Sequence, residues 1–439
     1  MMGRIKLFLF FNKLLRKVAS RYYSYKANCI EDWQIHCAKK EHAKALKRLG
    51  DKKKIKCVFF ALFPSIWKYD NVFKMMMESS RFEPIVLVCP IVNYGPKEMM
   101  EEINACEQFF RQKGYPVIKA YNDVNGSYVD VRKEIDPDII FYTNPYQGLI
   151  DDRYFITNYK DILTVYVPYF INTSIDNRFS CDLLLHNLVW RKYLEYDYEL
   201  DLSRKIQRVH GRNVVVTGYP GIEGFIKNSI DIEDRTWKIE DRRLKRIIWA
   251  PHHTLESSIY GHTCFLEYAY AMLDLVKKYK DSVQFVFKPH PILKSKLRNL
   301  WGDDETDSYY DMWKSLPNAN ISEGDYVSLF NESDAMIHDS GSFVVEYLYT
   351  NKPVLRTVND VPFEKQFNEF GLNCLDNYYK AANIEEVEQF IQNVINGIDP
   401  LKAQRTKFVN EVLMPKGSPS QNIIDDILDS IDNQILYRN

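Results

Sequence analysis

No two cysteines in this 439-residue chain are spaced Cys-x-x-Cys, and the eight present (Cys29, Cys37, Cys57, Cys89, Cys106, Cys181, Cys264 and Cys374) are scattered along its length. That distribution excludes a disulfide framework and a cysteine-built zinc site, and it fits reduced structural thiols in a cytosol. A run of about 20 apolar residues, which a membrane-spanning helix needs, is also missing. The stretch Leu7-Phe8-Leu9-Phe10-Phe11 is too short to span and no small-residue cleavage site follows it, so neither a transmembrane helix nor a secretory signal is expected. There is no low-complexity segment and no fixed-period repeat. Walker A, Gly-x-Gly-x-x-Gly and Gly-x-Ser-x-Gly patterns are absent too, which removes the usual handles of ATP hydrolysis, NAD redox chemistry and serine nucleophiles. No helical His-x-x-x-His pair occurs, and the neighbours His252 and His253 are expected to point apart, so no metal is expected.

What the chain does contain is a globular balance of 46% hydrophobic and 27% charged residues, at a length that predicts two domains. Its formal net charge of −1 hides an asymmetry: residues 1–54 hold 15 Lys or Arg against 4 Asp or Glu, a surplus of 11 that leaves the remainder at −12. Between Arg4 and Lys17, cations alternate with Leu and Phe. This is the pattern of an interfacial helix on an anionic membrane surface, where each nearby cation contributes about 1 kcal/mol. The rival reading is a solvated helix that packs its Leu and Phe face on the body. Nucleic acid is not an expected partner, because the basic charge stays in one amphipathic arm instead of lining a cleft with aromatics.

From residue 55 onward, apolar strands alternate with helices. Strands are predicted at 55–60, 83–90, 116–118, 138–141, 163–167 and 213–216, with helices at 69–80 and 97–113 between them. A charged connection follows, and a second series begins: strands at 246–250, 284–287, 319–321, 335–337 and 353–355, with a helix at 263–280. Helices at 384–396 and 421–436 close the chain, and the last of them could cross back. Continuous apolar strands between helices mean parallel sheets covered on both faces. The fold class is therefore α/β: two Rossmann-like, doubly wound parallel-sheet domains facing a cleft, preceded by a basic helical arm. The expected boundaries are 1–54 for the arm, 55–230 and 231–420 for the two domains, and 421–439 for a C-terminal helix.

Three strand ends of the second domain carry polar residues, and in a parallel sheet such ends lie side by side. The first is Pro251-His252-His253-Thr254. The second is Lys288-Pro289-His290-Pro291, where two prolines stiffen the backbone around His290. The third is Asp339-Ser340-Gly341-Ser342, a small polar turn that opens a helix running from Phe343 towards Asn351 and Pro353. Free amides at a helix start, with hydroxyls beside them, make an anion site, so this turn reads either as a phosphate cradle or as a plain N-cap.

These three segments, in this order and spacing and with Lys352-Pro353-Val354 after the third, resemble the CDP-glycerol glycerophosphotransferase family over roughly residues 160–400. These are bacterial enzymes of teichoic acid and capsule assembly with the two-domain GT-B fold. The resemblance implies transfer of an alditol phosphate (glycerol or ribitol phosphate) from a CDP-alditol to a hydroxyl of a lipid-linked or surface glycan, with CMP leaving. It implies work in the bacterial cytoplasm, peripheral on the inner face of the membrane, which the arm would suit. On it, His290 and His253 are the catalytic candidates. His252, Lys288, Asp339, Ser340, Gly341, Ser342 and Glu346 are the candidates for holding substrate and nucleotide, and no cofactor is required. His290 matches the family's histidine beside the diphosphate, Ser340 and Ser342 its phosphate-binding serines, and Asp339 the acidic residue ahead of them.

At one place the sequence departs from the family. Better-known members carry the base for the acceptor on a Trp-His-Gly turn, where this chain has Val167-Pro168-Tyr169-Phe170-Ile171-Asn172. His186 is a possible substitute or a packing residue. Asp339 to Ser342, then Glu346, then Lys352-Pro353-Val354-Leu355, is also similar to the UDP-sugar site of UDP-N-acetylglucosamine 2-epimerases and related GT-B glycosyltransferases, in which the glutamate holds ribose. A non-catalytic scaffold of a polysaccharide assembly cluster is the third alternative.

Overall fold

Strand β1 (Ile55–Ala61) is apolar but for Lys56, because both faces of its sheet are covered. It lies parallel to β2 (Phe82–Val88) on one side and β4 (Ile139–Tyr142) on the other. With β3 (Val117–Lys119), β5 (Leu163–Tyr166), β6 (Arg191–Leu194) and β7 (Val214–Val216), these form a seven-stranded sheet in the order β3-β2-β1-β4-β5-β6-β7. A second sheet repeats the plan with six strands: β8 (Lys245–Ala250), β9 (Val283–Phe287), β10 (Ala319–Ile321), β11 (Ala335–His338), β12 (Val354–Thr357) and β13 (Tyr379–Ala381), in the order β10-β9-β8-β11-β12-β13. Every pairing within these two sheets is parallel. Both orders reverse direction once, at β1/β4 and at β8/β11, the topological switch points where doubly wound sheets bind ligands.

The computed structural model describes the backbone of residues 2–93, 95–175, 177–227, 236–240, 243–255, 263–323, 326–359 and 363–438, with side chains from residue 25 onward except 177, 178, 363 and 364. The chain forms two units. The first comprises Met1–Tyr169, Arg178–Gly218 and Ser420–Asn439, and the second Phe170–Asn177 and Tyr219–Pro419.

In the first unit, helix α1 (Met2–Leu49) precedes the sheet. Its last turns bury Ala38, His42, Ala45, Leu46 and Leu49, a stripe at helical spacing that docks on the unit, while residues 25–30 are exposed. The cation-rich stretch from Arg4 to Lys17 lies outside the residues with described side chains. No helix among the described residues is long and apolar enough to cross a membrane.

The core of the second unit is an aromatic stack. The Trp249 ring lies 5.1 Å from Phe287, 5.6 Å from Phe265 and 5.6 Å from Trp313, centroid to centroid. Because Trp249 and Phe287 are close to the ends of β8 and β9, this stack fixes the two segments that follow those strands.

Candidate functional site

Beyond Ala250 the backbone leaves the sheet, so the alternation that would send neighbouring side chains to opposite faces no longer applies. His252 and His253 accordingly do not point apart. Their rings lie 4.2 Å apart by centroid, and both meet the ring of His290 after β9, at 5.3 and 4.1 Å. This corrects the expectation drawn from their adjacency.

Each ring is half-buried and held differently. His252 Nδ1 shares a 2.6 Å hydrogen bond with Thr254 Oγ1. His290 Nδ1 accepts from the Ile292 amide at 3.2 Å, which places the proton of the neutral ring on Nε2 and makes that nitrogen a donor. Burial lowers the pKa of all three. It takes His252 down to about 3, helped by His253, His290, Arg356 and Lys296. It takes His290 down to about 4, helped by His253 and Lys296, and it lowers His253 with help from Lys296. No carboxylate opposes these effects in any of the three, so the free chain presents three uncharged imidazoles at neutral pH.

The turn after β11 sits beside them. Asp339 is buried and its carboxylate is committed to backbone and hydroxyl donors: Oδ1 accepts from the His252 amide at 2.6 Å, and Oδ2 accepts from Thr263 Oγ1 at 2.6 Å and the Cys264 amide at 2.8 Å. It clamps the β8 turn and the start of helix α2 (Phe265–Lys278) to the end of β11. Arg356, on β12, donates to the Asp339 carbonyl at 3.2 Å.

Ser340 is buried, and its Oγ accepts from the Ser342 amide at 3.3 Å. Ser342 is exposed, and a Cβ placed on Gly341 would meet no atom within 4 Å, so the turn has open space over its backbone. The helix behind it is shorter than its sequence pattern predicts. Helix α3 spans only Phe343–Glu346 and passes directly into a 3-10 turn at Tyr347–Thr350, ended by Asn351 in the left-handed region at φ 55°. One α-turn carries little macrodipole, so anion binding here would rest on local amides and hydroxyls.

Lys288 and Glu346 complete the set. Both are buried. The Lys288 ammonium lies 5.6 Å from the centroid of the Tyr326 ring, and the Tyr326 hydroxyl donates to Glu346 Oε2 at 2.7 Å. His338 is fully buried within the core, its Nε2 3.3 Å from the Tyr378 hydroxyl, and it does not join the three-histidine group. Sequence reasoning did not find Arg356, Tyr326 or Lys296. A cation within the apolar strand Val354–Thr357 was the one available signal, for Arg356.

In the first unit, in the short helix that leads into β6, His186 is fully buried against Tyr166, its Nδ1 accepting from the Leu183 amide at 3.2 Å. Burial holds its pKa well below the usual histidine range, which is the environment of a packing residue. Glu195, following β6, is also buried, and burial and Glu199 push its carboxyl well above the usual range. Tyr169 lies with its hydroxyl 3.4 Å from that of Tyr146.

The family model for CDP-Glycerol:Poly(glycerophosphate) glycerophosphotransferase matches residues 196–428, more than half of the chain. A search of curated proteins returns no match. Among solved structures, the UDP-GlcNAc 2-epimerase of Neisseria meningitidis bound to UDP-GlcNAc is similar at a TM-score of 0.54, with 15% identity over 86% of this chain and 100% of that one. The UDP co-structure of MnaA from S. aureus gives 0.51, with 16% identity over 88% and 99%. A variant of the wall teichoic acid polymerase TagF gives 0.55, with 12% identity over 91% and 94%. At these identities the likeness is one of fold.

Proposed function

The chain belongs to the CDP-glycerol:poly(glycerophosphate) glycerophosphotransferase family, and on that premise we propose that it moves an alditol phosphate from a CDP-alditol to a hydroxyl of a lipid-linked or surface glycan, in the making of teichoic acid or capsule. The acceptor oxygen attacks the phosphorus that bears the alditol. The bond from that phosphorus to the bridging oxygen breaks, CMP leaves with the electron pair, and the acceptor's proton passes to the departing CMP or to water.

The observation that carries the reading is the meeting of three segments at the switch point of the second sheet. His290 offers an Nε2–H donor, and the Ser340-Gly341-Ser342 turn offers open backbone and hydroxyls to a diphosphate. Uncharged imidazoles suit this task. An arriving dianion raises the pKa of the rings it touches, so positive charge is created where the phosphate charge develops. Transfer through a loose transition state draws mainly on positioning and charge neutralisation. A pre-formed base for the acceptor is therefore a smaller part of the barrier, consistent with a first unit in which His186 is packed away. Lys288 and Glu346 would hold the nucleotide, and the basic arm would bring the enzyme to an anionic membrane surface.

The test is nucleotide release from CDP-glycerol, CDP-ribitol and UDP-N-acetylglucosamine by the full chain with a glycan-lipid acceptor. We expect CMP from a CDP-alditol, lost by at least a hundredfold in His290→Gln. Release of UDP alone would move the chain to the sugar-nucleotide reading, and release of neither would favour the scaffold.

A further inference from the structure

The three rings of His252, His253 and His290 each offer a nitrogen, and these nitrogens lie within 4.8 Å of one another. We propose that they form a binding site for a divalent cation of the zinc class, held by one ring nitrogen from each residue and with its remaining coordination position open. A tetrahedral zinc site places its nitrogens about 3.4 Å apart at bond lengths near 2.05 Å. The rings therefore need to close by up to about 1.4 Å, which half-buried side chains on turns can do.

Two further observations point the same way. The hydrogen bond between His252 Nδ1 and Thr254 Oγ1 is the kind of outer contact that orients a ligating imidazole and leaves Nε2 for the metal. His253 Nδ1 is a buried nitrogen with no hydrogen-bond partner among the described residues. Two features oppose binding. Ligation through His290 Nε2 moves its proton to Nδ1 and gives up the long contact with the Ile292 amide. Lys296, the cation that acts on all three rings, repels the metal. Imidazole-only sites favour zinc, copper, nickel and cobalt over magnesium or calcium. The inference rests on ring geometry and not on the transfer reaction, and its test involves no turnover, so either can fail without the other.

The test titrates chelator-stripped full-length chain with Co²⁺, read by its ligand-field absorbance, and then displaces it with Zn²⁺ in a calorimeter. We expect one equivalent per chain. Affinity should fall at least tenfold in His253→Asn and in His290→Gln. It should fall about tenfold to a hundredfold in the orienting variant Thr254→Val, and it should rise in Lys296→Met. Thermal melts of each variant check that it is folded. Less than half an equivalent bound, or one equivalent whose affinity is the same in folded His253→Asn, overturns the proposal.

Discussion

His42, on α1, is 1% exposed and neither ring nitrogen has a hydrogen-bond partner among the described residues. Burial pushes it down to about 3, reinforced by Arg191 and only weakly opposed by Asp161 and the Ile162 backbone. Its folded pKa is thus depressed below the unfolded value near 6.5, so the folded state prefers the neutral ring. The stability this confers is complete above pH 6.5 and is lost as pH falls towards 3, by about 2 kcal/mol at pH 5. In urea denaturation at pH 7 and pH 5, His42→Leu should lose about that much less than the parent chain, and equal losses would refute the assignment. Asp339 and Gly341 form a contrasting pair. Asp339→Ala leaves the His252 and Cys264 amides and the Thr263 hydroxyl without their acceptor, and should cost about 2–3 kcal/mol of stability. A Cβ at Gly341 meets no atom within 4 Å, so the melt of Gly341→Ala should match the parent within about 0.5 kcal/mol while the KM for the donor rises. A reversed pattern would make Asp339 a ligand-binding group and Gly341 a folding requirement.

At the scale of elements, β6 shows where a sequence stops being legible. Arg191 and Lys192 occupy a buried strand, against every expectation from apolar patterning. Arg191 is 0% exposed because helix α4 (Pro419–Asp432) and the residues after it return to neutralise it: Asp426 at 3.0 Å, Ser430 Oγ at 2.8 Å, and the Leu436 and Ile435 carbonyls at 2.7 and 3.0 Å. A partner 235 residues away leaves no local signal. By contrast, the strands that place the candidate site, 245–250, 283–287 and 335–338, agree within a residue with those read from their apolar runs, which depend only on two-sided burial. The site was half legible for the same reason. Pattern found the strand ends, but the convergence of His252 with His253 depends on the turn after β8, and the roles of Arg356 and Tyr326 depend on contacts across the sheet. Breaking the Arg191 pair should be severe. Asp426→Ala strands a buried charge and should lower stability by about 3–5 kcal/mol in denaturant melts, whereas a loss under 1 kcal/mol would mean water reaches Arg191.

For the whole molecule, charge is separated along the chain, with the surplus of 11 confined to residues 1–54. Part of that segment is docked: Arg48 donates to the Asp161 carbonyl at 3.0 Å, and Arg208 pairs with Glu31 at 3.0 Å, which ties the later half of α1 to its unit. The cations ahead of it would then carry any membrane attraction. Full-length chain should sediment with vesicles containing anionic lipid and not with neutral ones, and 1 M salt, which shortens the screening length to about 3 Å, should release it. Removal of residues 1–24 should abolish sedimentation, and binding indifferent to salt or lipid charge would exclude this role.

The return of α4 to the first sheet also sets a timetable for biogenesis. A ribosome adds about 5–20 residues each second, so the 235 residues between Arg191 and Asp426 take roughly 10 to 50 s to make. Throughout that interval the nascent first unit holds a strand with an unanswered guanidinium, while the chain of the second unit, which runs to Pro419, is being made. The unit that begins first is thus completed last, and a chain released before Asp426 would expose β6 to chaperones and proteases although it holds the whole second unit.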